Sequence, residues 1–365
     1  MPNVSTPMQA AIDAAYRVRG TTSPNPCVGA VVVRDGSIIS TGATSPYGGP
    51  HAEAAALANI DARGADLYTT LEPCMPFEGK KTRPCTDAII EAGIRRVVVG
   101  IEDPHAPVRS RSVARLRSHG IEVEVGDGAH EITELLRPYL KFRNTGRPYV
   151  IAKFALSLDG KVGAPAAGIT WLTGPTAIAR AHRDRAWVDA LMVGSGTIIA
   201  DNPRLTARDG DGVPASHQPL RIILDGRGRS DPGSHAFGPG AIVATGPAGA
   251  AWRGAITATG ATVLELEHDN AGVSLHQLFR VLGARSVLSV IAEGGPTVLR
   301  ALFEGGHVDE VHAYIAPVVL GSAGIPLQPE GSAFGPVSLR QVAVEPLAPD
   351  VLIRGYTGSW SPAEA

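Results

Sequence analysis

Three residues of this sequence have the side chains to hold a metal ion together: His51, Cys74 and Cys85. One imidazole and two thiolates are soft or borderline ligands, and three protein ligands leave zinc's fourth tetrahedral position open, the pattern of a catalytic site. Glu53 follows His51 by two residues and need not be a ligand; it is placed to move protons between water and a substrate nitrogen. Singly these residues read as a surface histidine, a capping glutamate and buried structural cysteines. Their combination, with Pro73 directly before Cys74, points to a site.

The elements that must position them follow from periodicity. His51 and Glu53 open an Ala-rich apolar run, Ala54 to Ile60, that reads as a helix. Ala65 to Leu71 reads as a strand ending just before Cys74, and Cys85 opens a helix to Ala92. Upstream, Thr6 to Arg19 is helical, and Pro24-Asn25-Pro26 is a rigid turn feeding the strand Ala30 to Arg34. Asp35-Gly36 turns the chain back into Ile38 to Thr41. Asn25 offers donors and acceptors to a heterocycle as a pocket wall, and Cys27 reads as a small buried residue. Further on come the strand Arg95 to Ile101, the helix Ser110 to Ser118, the strand Ile121 to Val125 and the helix Ala129 to Phe142. Alternating strands and helices predict an α/β sandwich, mostly parallel after the first hairpin. Asp103 and His105 lie past a strand end, where open α/β sheets bind ligands.

Residues 144–148 read as a linker to a second α/β series, which predicts one domain over 1–145, another over 146–358 and a disordered tail over 359–365. Strands are predicted at Tyr149 to Ser157, Ala190 to Val193, Leu220 to Leu224, Ala241 to Thr245, Ala261 to Leu266, Ser286 to Ala292 and Val308 to Ile315. Helices are predicted at Thr176 to Ala186 and Val298 to Phe303, with a turn at Gly194 to Thr197. The pair Gly294-Gly295, between a strand and a helix, allows backbone N–H groups to approach a phosphate.

At 365 residues with 44% hydrophobic and 19% charged content, the chain has the composition of a globular protein with two cores. The net charge of −2 and 5% aromatic content argue against a nucleic-acid surface. Three cysteines are too few for a disulfide framework and suit a reducing compartment. With no apolar run of membrane length and no basic-apolar leader in view, the expectation is a cytoplasmic protein that engages neither membrane nor nucleic acid.

The motifs together resemble the zinc deaminases, with their H-x-E and P-C pattern. More specifically, the whole chain resembles the bifunctional riboflavin-biosynthesis deaminase/reductase family. The front half carries Pro24-Asn25-Pro26, Pro50-His51-Ala52-Glu53, Leu71-Glu72-Pro73-Cys74 and Pro84-Cys85. The back half carries Ser157 to Lys161, Trp171 to Gly174, Gly196-Thr197, Asp201 to Arg208 and Glu293-Gly294-Gly295. The resemblance implies a cytidine-deaminase-like α/β/α sandwich followed by a dihydrofolate-reductase-like α/β domain. It implies Zn2+ on His51, Cys74 and Cys85, and catalysis by Glu53, on a small phosphorylated diaminopyrimidinone ribosylamine. It further implies NADPH-dependent reduction of the ribosyl group to ribityl, and a homo-oligomer. Trp171, Thr197, Asp201, Gly294, Gly295, Pro296 and Thr297 match cofactor positions. Arg185, Leu205, Arg208 and Glu293 match substrate positions. Asp201 is the expected proton donor in reduction, with Glu293 or Lys153 as alternatives.

The chain departs from the family pattern at Thr44 and Pro76, where the family has histidines, at His105, where it has asparagine, and at Ile169, where it has serine. Ten residues separate Cys74 from Cys85, two more than usual, and Lys80 or Lys81 in that insertion is expected to replace a lost substrate contact. The departures leave open a reductase whose front half is non-catalytic, or a deaminase acting on another base.

Overall fold

The computed structural model describes residues 4–76, 83–105, 108–164, 168, 171–269, 272–327 and 335–362. The chain forms two compact units, one ending at Thr145 and the other beginning at Gly146.

The first unit runs α1 (Thr6–Arg17), β1 (Gly29–Arg34), β2 (Ser37–Ala43), α2 (Ala52–Leu57), β3 (Asp66–Leu71), α3 (Cys85–Glu91), β4 (Arg96–Ile101), α4 (Arg111–Ser118), β5 (Glu122–Val125) and α5 (Ala129–Thr145). Its five-stranded sheet has the order β2-β1-β3-β4-β5. β1 is antiparallel to β2 and β3, and β3, β4 and β5 are parallel, as the pattern predicts. β3 is buried along its whole length, so it lies central and leads straight to Cys74. α2 is shorter than expected because Ala58 leaves the helical region with ψ 133°. α5 runs on through Asn144 and Thr145, which removes those two residues from the predicted linker.

The Ala-rich composition of α2 has a packing cause. A Cβ on Gly42 of β2 would come within 2.3 Å of both the Ala52 carbonyl oxygen and the Ala56 nitrogen. The helix that begins at His51 therefore lies directly on the sheet backbone, a distance that only small residues allow. We expect Gly42→Ala to cost about 1–3 kcal/mol through overpacking and to reduce metal affinity by lifting α2. Thermal denaturation together with zinc titration of the variant checks this.

The second unit contains β6 (Tyr149–Ser157), α6 (Pro175–Ala186), β7 (Ala190–Gly194), α7 (Ser195–Asp201), β8 (Leu220–Leu224), β9 (Ala241–Thr245), α8 (Ala250–Ala258) and β10 (Thr262–Glu265). It continues with α9 (Leu275–Ala284), β11 (Ser289–Ala292), α10 (Pro296–Glu304), β12 (Glu310–Ala316), β13 (Arg340–Leu347) and β14 (Asp350–Tyr356). These strands form one nine-stranded sheet, ordered β10-β9-β8-β7-β11-β6-β12-β14-β13. It is parallel from β10 to β12, and the β13–β14 hairpin joins antiparallel to β12. The residues read as a turn at Gly194 to Thr197 instead open helix α7. α8, α9 and the C-terminal hairpin have no counterpart in the sequence reading. The predicted disordered tail is corrected at its start: the Ser359 hydroxyl donates to the Val308 carbonyl at 2.7 Å, and Trp360 packs edge-on to Tyr149.

Buried charge ties β12 to α6. His312 lies between Asp184, 3.1 Å from Nδ1, and Glu310, 2.8 Å from Nε2, and the Tyr314 hydroxyl also donates to Asp184. Burial alone lowers the basicity of His312, but the two carboxylates outweigh it and raise its pKa to about 9. A histidine with a raised folded pKa contributes stability that is complete below its unfolded pKa and is lost as pH rises through the folded value. We therefore expect this unit to lose up to about 3 kcal/mol between roughly pH 6.5 and 9. Denaturant melts across that window should show the slope in wild type and a flatter profile in His312→Gln.

Candidate active sites

His51 caps the N-terminus of α2, Cys74 follows β3, and Cys85 is the first residue of α3. Three separate elements thus bring the donors together: their ligand atoms all lie within 4.8 Å of one another. The Cys74 and Cys85 sulfurs stand 3.4 Å and 3.5 Å from His51 Nδ1. The Cys85 amide donates to the Cys74 sulfur at 3.3 Å, and the Thr86 amide and hydroxyl both donate to the Cys74 carbonyl. The Cys74 thiol is held far below its ordinary pKa, first by the bond from the Cys85 thiol and further by His51 and the Cys85 amide. Cys85 is correspondingly pushed up. One imidazole and two sulfurs converging this closely, one of them favoured as thiolate, fit a zinc ion with one position left for a non-protein ligand. Cys27 is buried, and burial raises its thiol to about 11, consistent with an inert packing residue.

Glu53 is 3% exposed. Burial raises its pKa to about 7, assisted by the charge on Cys74. Glu72, next to the strand end, was not read as functional. Its carboxylate accepts from the amides of Asp103, Ser110, Ser112 and Val113 and from the Ser112 hydroxyl. It therefore fixes the loop beyond β4 against the loop that carries Cys74. Asp103 is buried within that loop, its carboxylate taken by the His105 amide and the Tyr139 hydroxyl; burial raises its pKa to about 6. Both contacts place Asp103 as an anchor of the loop that presents His105. Thr44 is buried and ties back to Val28, accepting from its amide at 3.1 Å. Asn25 is half-buried in a turn closed by the Thr22 hydroxyl on the Asn25 carbonyl. Lys80 and Lys81 lie outside the described residues.

In the second unit a cavity of about 500 Å³ gathers Lys153, Trp171, Arg185, Arg208, Glu293, Gly294 and Gly295, with His182 and Tyr314. Glu293 stands just beyond β11. Arg185 grips its carboxylate with two bonds of 2.7 and 2.8 Å, and Lys153 approaches at 3.4 Å. Burial would raise the Glu293 pKa, but the two cations hold it far below the usual carboxylate range. Arg185 also donates to the Thr206 carbonyl and so fastens the 201–208 segment; in that segment Leu205 is buried at φ 52°, a left-handed conformation costly for leucine. Trp171 is 77% exposed at the cavity edge and offers a flat face for a ring.

A second cavity, of about 660 Å³, shares Val162 and Gly295 with the first. Gly194, Gly196, Thr197, Asp201, Pro296 and Thr297 line it. Asp201 is among the residues lining this second cavity; partial burial raises its pKa. The N-terminus of α10, at Pro296 and Thr297, faces this cavity and suits a phosphate. Arg227, Arg229 and His268 also line it, and the sequence reading did not single them out. Their signal was available: Asp225-Gly226-Arg227-Gly228-Arg229 follows a buried strand. A cavity of this volume, lined by glycines and by the N-terminus of α10, fits a dinucleotide.

Comparison with known proteins matches residues 1–101 to the cytidine and deoxycytidylate deaminase zinc-binding region and residues 148–353 to the RibD C-terminal domain. The riboflavin biosynthesis protein RibD of Bacillus amyloliquefaciens is 37% identical over 333 residues, covering 90% of this chain and 88% of the relative. That of Escherichia coli is 37% identical over 329 residues, covering 86% and 88%. Among solved structures, Acinetobacter baumannii RibD superposes with a TM-score of 0.85 at 33% identity over 96% of this chain and 97% of that one. A Thermotoga maritima diaminohydroxyphosphoribosylaminopyrimidine deaminase/5-amino-6-(5-phosphoribosylamino)uracil reductase gives 0.80 at 32% identity over 96% and 98%. The chain belongs to the RibD family of bifunctional riboflavin-biosynthesis deaminase/reductases, which unite a zinc-dependent hydrolase and an NADPH-dependent reductase in one polypeptide.

Proposed function

We propose that the chain deaminates a 2,5-diamino-6-(5-phosphoribosylamino)pyrimidin-4(3H)-one at C2 and then reduces the ribosyl group of the product to ribityl. The observation that carries the first step is the buried Glu53 beside the convergent His51, Cys74 and Cys85. Zinc held by these three would supply Lewis-acid activation of water. Glu53 takes a proton from the attacking water, delivers it to the ring nitrogen and returns protons to the departing amine, so that ammonia leaves. The 102–105 turn is pinned through Asp103 to the His105 amide and the Tyr139 hydroxyl, and we assign His105 to a substrate contact.

In the reductase unit NADPH supplies the hydride. Arg208 offers its guanidinium fork to the substrate phosphate, and Arg185, whose own fork holds Glu293, adds its positive charge beside it. Glu293, locked as a carboxylate, holds Arg185 and Lys153 in place. We assign Lys153 as the proton donor: its ammonium delivers a proton to the ribose ring oxygen as the C1′–O bond breaks, and C1′ accepts the hydride. Glu293 is too stable as an anion for this role, and Asp201 lines the other cavity. A reducing cytoplasm suits the free thiols, and the exposed Val342 and Val344 on edge strand β13 support self-association.

One zinc per chain is expected by elemental analysis, falling below a tenth in His51→Ala, Cys74→Ser and Cys85→Ser. Glu53→Gln with full zinc should release ammonia about 100- to 10,000-fold more slowly yet still oxidise NADPH when given the deaminated substrate. Loss of reduction in that variant as well, or unchanged ammonia release, would remove Glu53 from the mechanism. Lys153→Ala should reverse the pattern, with ammonia released at the wild-type rate and NADPH spared.

A further inference from the structure

We infer that Tyr314 is a positioning residue for reduction: the face of its ring holds the Lys153 ammonium in the pocket, and a buried ion cluster holds the ring. The inference rests on the reading of Lys153 as the proton donor. Strand register brings the two side chains together. β6 and β12 are parallel neighbours in which Lys153 pairs with His312 and Ala155 with Tyr314. Residues paired across a sheet share a face, as do residues two apart on one strand, so Lys153, His312 and Tyr314 stand on the same side. Lys153 and Tyr314 both line the cavity of about 500 Å³. The Lys153 nitrogen lies over the Tyr314 ring, 5.4 Å from its centre, within the roughly 6 Å over which a ring face attracts a cation. The other anchor of Lys153 is weaker. Its bond to Glu293 is 3.4 Å long, while Arg185 takes the same carboxylate at 2.7 and 2.8 Å. Glu293 therefore sets the charge of the pocket more than the place of the ammonium. A ring face attracts that charge without accepting a proton as a carboxylate would, which leaves the proton for the substrate.

The ring itself is held from behind. Tyr314 is buried, and its hydroxyl donates to Asp184 of α6 at 3.1 Å. Burial and the Asp184 charge both raise the Tyr314 pKa, so the hydroxyl remains a donor through the neutral range. Asp184 is buried too and faces two cations: Arg180, one turn earlier on α6, at 3.3 Å, and His312 at 3.1 Å. Each cation is held again on its far side. Arg180 donates to Glu345 of β13 at 2.9 Å. His312 meets Glu310 at 2.8 Å, and the second Glu310 oxygen accepts from the Tyr149 hydroxyl of β6. Buried charges paired this closely tolerate little displacement, because moving one leaves its partner uncompensated. Of these residues Tyr314 is the one that lines the cavity, so the cluster reaches the pocket through its ring.

The test gives deaminated substrate and NADPH to the zinc-loaded full chain and follows NADPH oxidation. Tyr314→Leu should lower kcat by on the order of tenfold, with KM for substrate and for NADPH within about twofold of wild type. Tyr314→Phe should restore most of that rate, because it keeps the ring face and loses only the hydroxyl. Fluorinating the ring of that phenylalanine drains its negative face at nearly constant size, so kcat should fall with each added fluorine. A ring that serves packing alone gives a flat series. That flat series, a wild-type kcat in Tyr314→Leu, or a change confined to KM would each overturn the inference. If Tyr314→Leu does not fold, the fluorinated series decides alone. Lys153→Ala that reduces at the wild-type rate would remove the donor reading and the inference with it. An inactive Lys153→Ala beside a flat fluorine series would sink the inference and leave the donor reading standing.

Discussion

A carboxylate taken out of water must find hydrogen bonds or cations for its charge, and in both units this requirement shapes the loops where chemistry happens. Glu72, Asp103, Asp225 and Glu293 each stand one or two residues past the end of a parallel strand. Each is satisfied by groups from other segments: the amides of Asp103, Ser110, Ser112 and Val113, the Tyr139 hydroxyl, the 229–230 turn, and the cations of Arg185 and Lys153. Ligands gather at the carboxyl ends of strands in open sheets, but a sheet does not by itself determine the form of the loops there. The buried carboxylates do so, and the metal donors, the anchored turn of His105 and the two basic clusters all depend on them.

Preorganisation of this kind has a different chemical purpose in each unit. In the first, three donors must reach a common point before any metal arrives, and the glycine-to-helix contact at Gly42 places the element that brings two of the four key side chains. In the second, the charges are already paired within the protein. Arg185 serves Glu293 and Thr206 at once, so it is held still before substrate enters. A fixed cation loses little freedom on binding a phosphate, which favours tight and oriented capture.

The metal set was legible in the sequence because ligand chemistry restricts residue type and because the flanking elements show strong periodicity. The alternation of strands and helices was legible for the same reason, and five strands of the second unit begin or end where the pattern placed them. What escaped depends on tertiary context. Glu72 looks like any acidic residue beside a proline; only the folded loop reveals its five partners. Gly194 to Thr197 looks like a turn because glycine disfavours helices, yet packing of Ile198 carries the segment into α7. β13 is exposed along most of its length and so gives no buried alternation to detect. α9 is a different case, since Leu275, Leu278, Phe279 and Leu282 have helical spacing and are all buried.

The exposure of Trp171 gives the enzyme a built-in optical gauge. Of four tryptophans, the others are buried or half-buried, while this indole projects into solvent at the rim of the reductase pocket. Indole emission overlaps the absorption of reduced nicotinamide, so a dinucleotide bound as proposed in the neighbouring cleft would act as an energy acceptor for Trp171. The red-shifted part of the intrinsic fluorescence would then report cofactor binding without label or coupled assay.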